Sequence, residues 1–357
     1  MRIAFSPITV NSNKYVDIIL ERLSFEGIEA ISLGKMFSNP NNFRKIKIVH
    51  FNWVENINGN SKVRKVISYL GKLIVFKILK IFKKKIVWTM HNREPHSKNL
   101  HSLQSKLMNK IIQISDMIII HSEMSRNLLI EDYKIEDPSK IEYVPHPNYI
   151  GYYGFPKFKT RGVSEVNDKL NLIFIGAVKP YKNIELLIDA FKPYQDKAQL
   201  VIAGNPADSA YKKQIEEYAN GINNVSLDLR FIPDKDILQY ILNSDLLILP
   251  YDIVSSLNSG TVILGFSYAR SVICPEIGTI KDIINSSAIF TYNYSDATEH
   301  LVKLKEKIGE AIELKNKQPD IFLQWGKQMQ KEITFHNDNH YIGQCLAALY
   351  NDLIHYN

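Results

Sequence analysis

Residues 171–183 read NLIFIGAVKPYKN, and the fold is read from this stretch. The apolar run Asn171–Ile175 is a strand pattern, Gly176 ends it in a turn, and Ile184–Phe191 carries helical periodicity. Two cations, Lys179 and Lys182, thus stand where a helix begins. The first turn of a helix leaves backbone N–H groups unpaired and carries about half a positive charge, so it favours anions. The segment suits a diphosphate. Taken alone, a βα loop with two solvated lysines is the simpler reading.

A second loop of the same character follows. After the strand pattern Asp245–Leu249 and Pro250-Tyr251-Asp252, residues 255–278 read SSLNSGTVILGFSYARSVICPEIG. Asn258 and Ser259 are good N-cap types, Gly260 permits close approach to the backbone, and Thr261 adds a hydroxyl. Val262, Leu264, Phe266 and Ala269 continue as an apolar helical face. Two helix starts prepared for anions in one α/β unit call for a ligand rather than a purely structural account.

Outward from these loops, strands and helices alternate. Strands are expected at Arg2–Phe5, Ile28–Ser32, Ile46–Phe51, Lys85–Met90, Asp116–Ile120 and Ile141–Val144, with helices near Tyr15–Phe25, Val63–Phe82, Leu103–Gln113 and Met124–Ile130. A second series runs through Leu172–Ile175, Gln199–Ala203, Asn224–Leu229, Asp245–Leu249, Ser271–Cys274 and Ala288–Phe290, and the chain is helical from Ile321. Such alternation predicts α/β architecture with two doubly wound parallel sheets. Pro145–Val166, rich in Pro, Gly, Tyr and Lys, reads as the connection between them. The expected domains are 1–160, with 338–357 returning to it, and 161–337. Ligands of such sheets sit outside the strand C-termini, which predicts a cleft between two facing edges.

At 357 residues, 45% hydrophobic and 23% charged, the chain has the make-up of a globular protein large enough for two cores. Cys274 and Cys345 form no disulfide framework, and a reducing cytoplasm is expected. MRIAFSPITV shows no signal-peptide pattern, and no run has the length of a membrane span. The net charge of +7 is uneven: up to Val163 there are 26 Lys and Arg against 13 Asp and Glu, and beyond it 18 against 24. Lys62–Lys85 holds nine basic residues and no acid, with an apolar helical face. Such a helix suits the anionic inner face of a plasma membrane; the other reading is a surface helix packing its apolar face inward and solvating its lysines. No nucleic-acid recognition motif accompanies the charge. The chain has no G-x-x-x-x-G-K-[ST], H-E-x-x-H or G-x-S-x-G motif, no G-x-G-x-x-G after its first strand, and no metal-ligand spacing.

These residues resemble the glycosyltransferases of the two-domain GT-B fold, on the side of family 4. There a strand-G-x-x-x-P-x-K-(G/N) segment brings cations to the donor diphosphate, as GAVKPYKN does here. Lys182 falls on the phosphate lysine; the arginine usual after the glycine is Ala177, and Lys179 stands in for it. IVHFNW (48–53), WTMHN (88–92), IIIHSEMSRNLL (118–129), YVPHPNY (143–149), RFIP (230–233), LPY (249–251) and the SGT segment extend the likeness over nearly the whole chain.

The resemblance implies that Gly176, Lys179, Lys182, Tyr251 and Asn258–Thr261 hold the donor, while Arg230, Phe231, Ile232 and Pro233 read its base. It implies that His91 approaches the transferred sugar with Lys182 on the leaving diphosphate. Asn11, Ser12, Asn13, Asn92, His50 and His146 would face the acceptor, although His50 reads equally as a buried structural histidine and Tyr251 as a core tyrosine. It further implies transfer of a sugar from a nucleoside-diphosphate sugar to a lipid-linked saccharide of a bacterial surface polysaccharide, with retention, without metal or cofactor, at the cytoplasmic face of the membrane. Two glutamates eight apart, usual near the last loop, are replaced by Leu257 and Gly265; Asp252 and Glu276 are the nearest carboxylates in sequence. Inversion with His91 or a first-domain carboxylate as base therefore stays open, as do a sugar-nucleotide epimerase or hydrolase and a non-catalytic GT-B partner subunit.

Overall fold

The structure, a computed structural model, describes residues 1–10, 13–57, 59, 61–93, 101–155, 169–283 and 286–355. The chain divides into two units, Met1–Pro147 with Asn337–Asn357, and Asn148–His336.

The first unit runs β1 (Arg2–Ser6), α1 (Tyr15–Phe25), β2 (Glu29–Ser32), α2 (Leu33–Phe37), α3 (Pro40–Lys45), β3 (Ile48–Asn52), α4 (Lys62–Ile81), β4 (Lys85–Met90), α5 (His101–Ile114), β5 (Met117–Ile120), α6 (Glu123–Glu131) and β6 (Ile141–Tyr143). The sheet order is β2-β1-β3-β4-β5-β6 and every pairing is parallel. Helices cover both faces of such a sheet, so its strands read as unbroken apolar runs rather than alternating ones. All five residues of β3, IVHFN, are buried for that reason.

The second unit runs β7 (Leu170–Ile175), α7 (Ile184–Phe191), β8 (Ala198–Ala203), α8 (Ser209–Tyr218), β9 (Val225–Asp228), α9 (Asp234–Leu242), β10 (Leu246–Ile248), α10 (Gly260–Ser267), β11 (Ser271–Pro275), α11 (Gly278–Lys281), β12 (Phe290–Tyr292), α12 (Ala297–Lys317) and α13 (Ile321–His336). Its order, β12-β11-β10-β7-β8-β9, is again wholly parallel. Chain order reverses between β1 and β3 in one sheet and between β7 and β10 in the other, and ligands of doubly wound sheets sit at such switch points. Both stretches that opened the sequence reading flank the second switch point.

The last helix, α14 (Asn339–His355), belongs to the first unit. Its Ile342, Leu346, Ala347 and Tyr350 share a core cluster with Ile3, Phe5, Val16, Ile19 and Leu23. At Gly343 an added Cβ would stand 2.8 Å from Arg22 Cβ, so the crossing of α14 on α1 leaves no room for a side chain.

The basic helix α4 is oriented contrary to the inward-packing reading. Phe76 and Leu79 are its buried residues, while Val63, Ile67, Leu70 and Ile74 are exposed. Part of its cationic side turns inward instead: Lys72 donates to the carbonyls of Val54 and Asn56, and Lys80 to that of Ile114. Just beyond the helix, Lys84 is buried and donates to the carbonyls of Phe43 and Ile46.

Candidate functional site

The donor-side group is built on the loops that follow β7 and β10. Gly176 leaves β7 at φ +138°, a conformation open to glycine and strained for other residues. Its neighbour across the sheet, Gly204, comes so close that an added Cβ would lie 1.6 Å from the Gly176 carbonyl oxygen. Val178 N–H donates to Asn205 O and Ala207 N–H to Val178 O, which stitches the loop to the end of β8. Pro180–Lys182 then forms one 3₁₀ turn, and Asn183 breaks the path with φ 54° before α7 starts. Asn183 does not cap α7 with its side chain; its amide donates to Pro250 O at 3.0 Å, joining this loop to the one after β10.

Lys182 is not the fully exposed side chain that the sequence suggests. It is half-buried, with Nζ 3.7 Å from the centre of the Tyr251 ring and 5.1 Å from that of Tyr181. Desolvation lowers its pKa to about 7, and the neighbouring Lys179 charge lowers it as well. Lys179 itself is exposed. Tyr251 is buried under Lys182, and its hydroxyl accepts a 3.2 Å hydrogen bond from Ser259 Oγ. Ser259 caps α10, accepting from Val262 N–H at 3.2 Å, while its own N–H donates to Thr279 Oγ1 at 2.9 Å. An added Cβ on Gly176 would lie 3.8 Å from Thr261 Oγ1. Both amide atoms of Asn258 are enclosed without a hydrogen-bond partner in the structure. Gly176, Lys182, Tyr251, Asn258, Ser259, Gly260 and Thr261 thus form one continuous group.

Leu257 is buried, and Gly265 packs so that an added Cβ would lie 3.0 Å from Leu247 Cδ2 and 3.3 Å from Arg270 O. A glutamate at 265 would require Leu247 to give way by a few tenths of an ångström. Asp252 uses a side-chain oxygen to accept from Val254 N–H at 2.7 Å, and Glu276 is half-buried at the end of β11. Arg230 follows β9, is exposed and pairs with Asp228 at 2.9 Å, which raises its pKa. Phe231 is 55% exposed, Ile232 is buried and Pro233 precedes α9.

In the first unit β4 and β5 each run directly into a histidine, His91 and His121, whereas His50 lies mid-strand in β3. Tyr15, at the start of α1, joins His91 and His121. Its ring lies 4.9 Å from His91, 5.5 Å from His121 and 5.2 Å from His146. Trp53, which turns out of β3 at φ 51°, stacks on His91 at 4.2 Å and 19°. His91 Nε2 meets Asn52 Oδ1 at 2.9 Å. His121 Nδ1 donates to Val144 O at 2.7 Å, which leaves Nε2 to accept from the Tyr15 hydroxyl at 3.0 Å. His146 Nδ1 donates to Pro147 O at 2.8 Å.

Burial keeps these rings neutral: desolvation lowers the pKa of His91 well below its ordinary value, that of His121 to about 4 and that of His146 to about 3. His50, lowered to about 3, is held on both ring nitrogens by Tyr350 Oη at 2.5 Å and Thr89 Oγ1 at 2.7 Å. No ring nitrogen of His50 remains for an acceptor. Asn13 accepts from Tyr15 N–H at 3.0 Å, Asn92 is half-buried, and Asn11 and Ser12 lie outside the described residues.

Sequence reasoning passed over Tyr15, Trp53 and His121. The signal for His121 was present, because WTMH and IIIH each close an apolar run with a histidine. It also passed over Glu55, a buried carboxyl whose pKa desolvation raises to about 7, with its Oε2 accepting from Trp88 Nε1 at 3.3 Å and its Oε1 unpartnered. Among the described residues, no group of three or more His, Cys, Asp or Glu could hold a metal ion.

Comparison with known proteins bears on this arrangement. Residues 157–262, which span the Lys182 loop and the start of α10, match the family model described as "Glycosyl transferases group 1". A GDP-mannose:glycolipid 4-beta-D-mannosyltransferase of Xanthomonas campestris pv. campestris is 30% identical over 125 residues, 34% of this chain and 35% of that protein. The match therefore spans about a third of the relative's length. Among solved structures, a sucrose-phosphate synthase from Thermosynechococcus elongatus superposes over 100% of both chains with a TM-score of 0.74 at 14% identity. The Anabaena protein HepE in complex with UDP covers 99% of this chain and 100% of that chain, with a TM-score of 0.68 at 13% identity. The fold is GT-B: two Rossmann-like, doubly wound α/β units.

Proposed function

We propose that the protein is a glycosyltransferase that moves a sugar from a nucleoside-diphosphate sugar to a lipid-linked saccharide, in the building of a bacterial surface polysaccharide. The observation that carries this reading is the meeting of Lys182, Tyr251 and the start of α10 at the switch point of the second sheet. A diphosphate there would accept from the Lys182 ammonium, the exposed Lys179 and the first N–H groups of α10, with the enclosed Asn258 amide at hand. Donors fixed in advance where charge builds on a leaving group supply the largest share of many enzymatic rate enhancements. These groups stabilise the departing diphosphate without a metal ion or cofactor, as the family resemblance implies. GDP-mannose is the first donor to test, because the relative in Xanthomonas is named for it.

His91, neutral and oriented by Trp53 and Asn52, faces the transferred sugar in this reading, with Asn92, His146 and the loop of Asn11, Ser12 and Asn13 toward the acceptor. Phe231, with its exposed ring, and the neighbouring Arg230, Ile232 and Pro233 meet the base. Retention follows the family resemblance, with the leaving phosphate taking the acceptor proton. Inversion is the second reading, with His91 or a first-domain carboxylate as base. The protein acts on the cytoplasmic side, peripherally on an anionic membrane, where lipid-linked acceptors reside.

A thermal-shift series with GDP-, UDP-, dTDP- and CDP-sugars tests the donor, since a ligand of the folded state raises its stability by mass action. Transfer of labelled sugar from the donor so found to a bacterial lipid extract tests the reaction, and NMR of the product's anomeric centre decides its stereochemistry. Donor hydrolysis or epimerisation without an acceptor would replace the transferase reading. Binding without turnover on any acceptor pool would make the chain a partner subunit.

A further inference from the structure

Helix α4 carries its apolar residues on the wrong side for a helix whose task is to close a core. Val63, Ile67, Leu70, Ile74 and Ile81 recur at intervals of four, three, four and seven, which places them along one line of the helix. Their exposures are 69, 63, 50, 59 and 63%. Phe82, next after the helix, adds another 57%. The inward side is held otherwise: Phe76 and Leu79 are buried, Phe76 packs on Phe51 of β3 with ring centres 5.7 Å apart, and Lys72 reaches the Val54 carbonyl at 2.7 Å. The helix is thus fixed at its back and presents a contiguous apolar stripe at its front. Exposed apolar patches of this extent mark interaction surfaces.

The charge around the stripe selects its occupant. Lys62, Arg64, Lys77, Lys80 and Lys83 are exposed on α4 or directly after it, and Lys62–Lys85 contains no acid. A second copy of the chain docked along this helix would set these cations against their own kind. A bilayer with anionic head groups offers the complement, namely hydrocarbon for the stripe and phosphate for its rim.

We infer that α4 lies in the plane of an anionic membrane with Val63, Ile67, Leu70, Ile74 and Ile81 inserted among the acyl chains, so that attachment is apolar at its centre and electrostatic at its edges. This deepens the proposed peripheral placement and rests on it.

The test replaces Ile67, Leu70 and Ile74 with serine and, in a second variant, Lys62, Arg64 and Lys77 with glutamine. Each protein is sedimented with extruded vesicles of phosphatidylglycerol and phosphatidylethanolamine, or of phosphatidylcholine alone, at 0.1 and 0.5 M salt. Wild type should partition at least tenfold better onto the anionic vesicles and keep a measurable part of that binding at 0.5 M. The triple-serine variant should lose at least tenfold at both salt levels, and the glutamine variant chiefly at 0.1 M. The serine variant should melt where wild type does, because the replaced side chains are exposed in the fold. A bimane probe on Leu70→Cys should shift to the blue on vesicle binding. Wild-type partitioning by the triple-serine variant, or an unshifted probe, would overturn the inference. So would a wild type that ignores vesicles and sediments as a dimer, with the serine variant monomeric; the stripe would then be a self-association face. A wild type that binds vesicles but transfers no sugar would refute the proposed function and leave the inserted helix standing.

Discussion

Lys182 offers the sharpest test of the donor site, because its proton should be coupled to binding. Desolvation holds its pKa at about 7, so at pH 8.5 it is almost wholly neutral. A diphosphate beside it must draw a proton back. If the bound lysine titrates well above pH 9, linkage predicts about a 30-fold fall in affinity between pH 6 and pH 8.5, or ~2 kcal/mol, and uptake of about 0.9 proton at pH 8. A nucleotide sugar is the ligand to use, since its diphosphate is esterified at both ends and does not itself titrate in this range. Calorimetry in two buffers of different ionisation enthalpy counts the proton. Lys182→Arg, charged throughout, should flatten the pH dependence and take up none.

The sign for stability is the reverse of that for binding. A lysine whose pKa is lowered by folding destabilises the fold below about pH 7 and ceases to do so as pH rises toward its unfolded value. At pH 7.5, where most of Lys182 is neutral in the fold, the gross cost is ~4 kcal/mol, part of which an apolar side chain at this position recovers. Lys182→Met should therefore raise the melting temperature of the second unit by about 4–8 °C while abolishing donor binding. Donor affinity that is flat with pH, with no proton taken up, would show that Lys182 does not meet the diphosphate.

Other outcomes follow from the same structure. His91→Asn should lower kcat by about 10²–10⁴-fold with donor affinity unchanged, and wild-type turnover would remove His91 from the reaction. Turnover should survive EDTA; loss on chelation with rescue by magnesium or manganese would reverse the metal-independent mechanism. Gly204→Ala should destabilise the second unit by several kcal/mol in a denaturant titration, since its Cβ would fall on the Gly176 carbonyl. His50, His121 and His146 have folded pKa values of about 3, 4 and 3. Their contribution to stability is intact above about pH 6.5 and is lost as pH falls toward those values, by up to ~2 kcal/mol per ring at pH 5. The first unit should accordingly melt earlier at pH 5 than at pH 7, and a melting temperature unchanged between the two would refute the buried, neutral assignment.

Much of this architecture is legible in the sequence, for a physical reason. Strands buried on both faces must be continuous apolar runs, so NLIFI, IVHFN and SVICP announce themselves. Lys85–Met90 and Tyr15–Phe25 fall on the expected bounds, whereas β12 begins at Phe290, two residues later than expected. Periodicity did not reveal which way α4 faces. A helical pattern locates an apolar stripe, but only the neighbours decide whether protein covers it, and here Phe76, Leu79 and the inward-turned Lys72 and Lys80 hold the helix from its other side. The same limit applies at the candidate site. Lys182 is named by its motif, yet nothing local says that its ammonium folds onto Tyr251, sixty-nine positions away. Tyr15 reads as an ordinary aromatic opening a helix until the sheet brings His91, His121 and His146 around it.

The return of α14 to the first unit has a consequence for how the molecule comes into being. Ribosomes deliver residues 339–355 after the whole of the second unit, but the His50 ring and the Ile3–Phe5 core need Tyr350 and Leu346 to be enclosed. The nascent first unit therefore waits, with an uncovered groove beside α1, through the synthesis of some 190 further residues. Any graft that exchanges donor units between proteins of this build must cut twice, near 147 and near 337, and carry the final helix along with the N-terminal half.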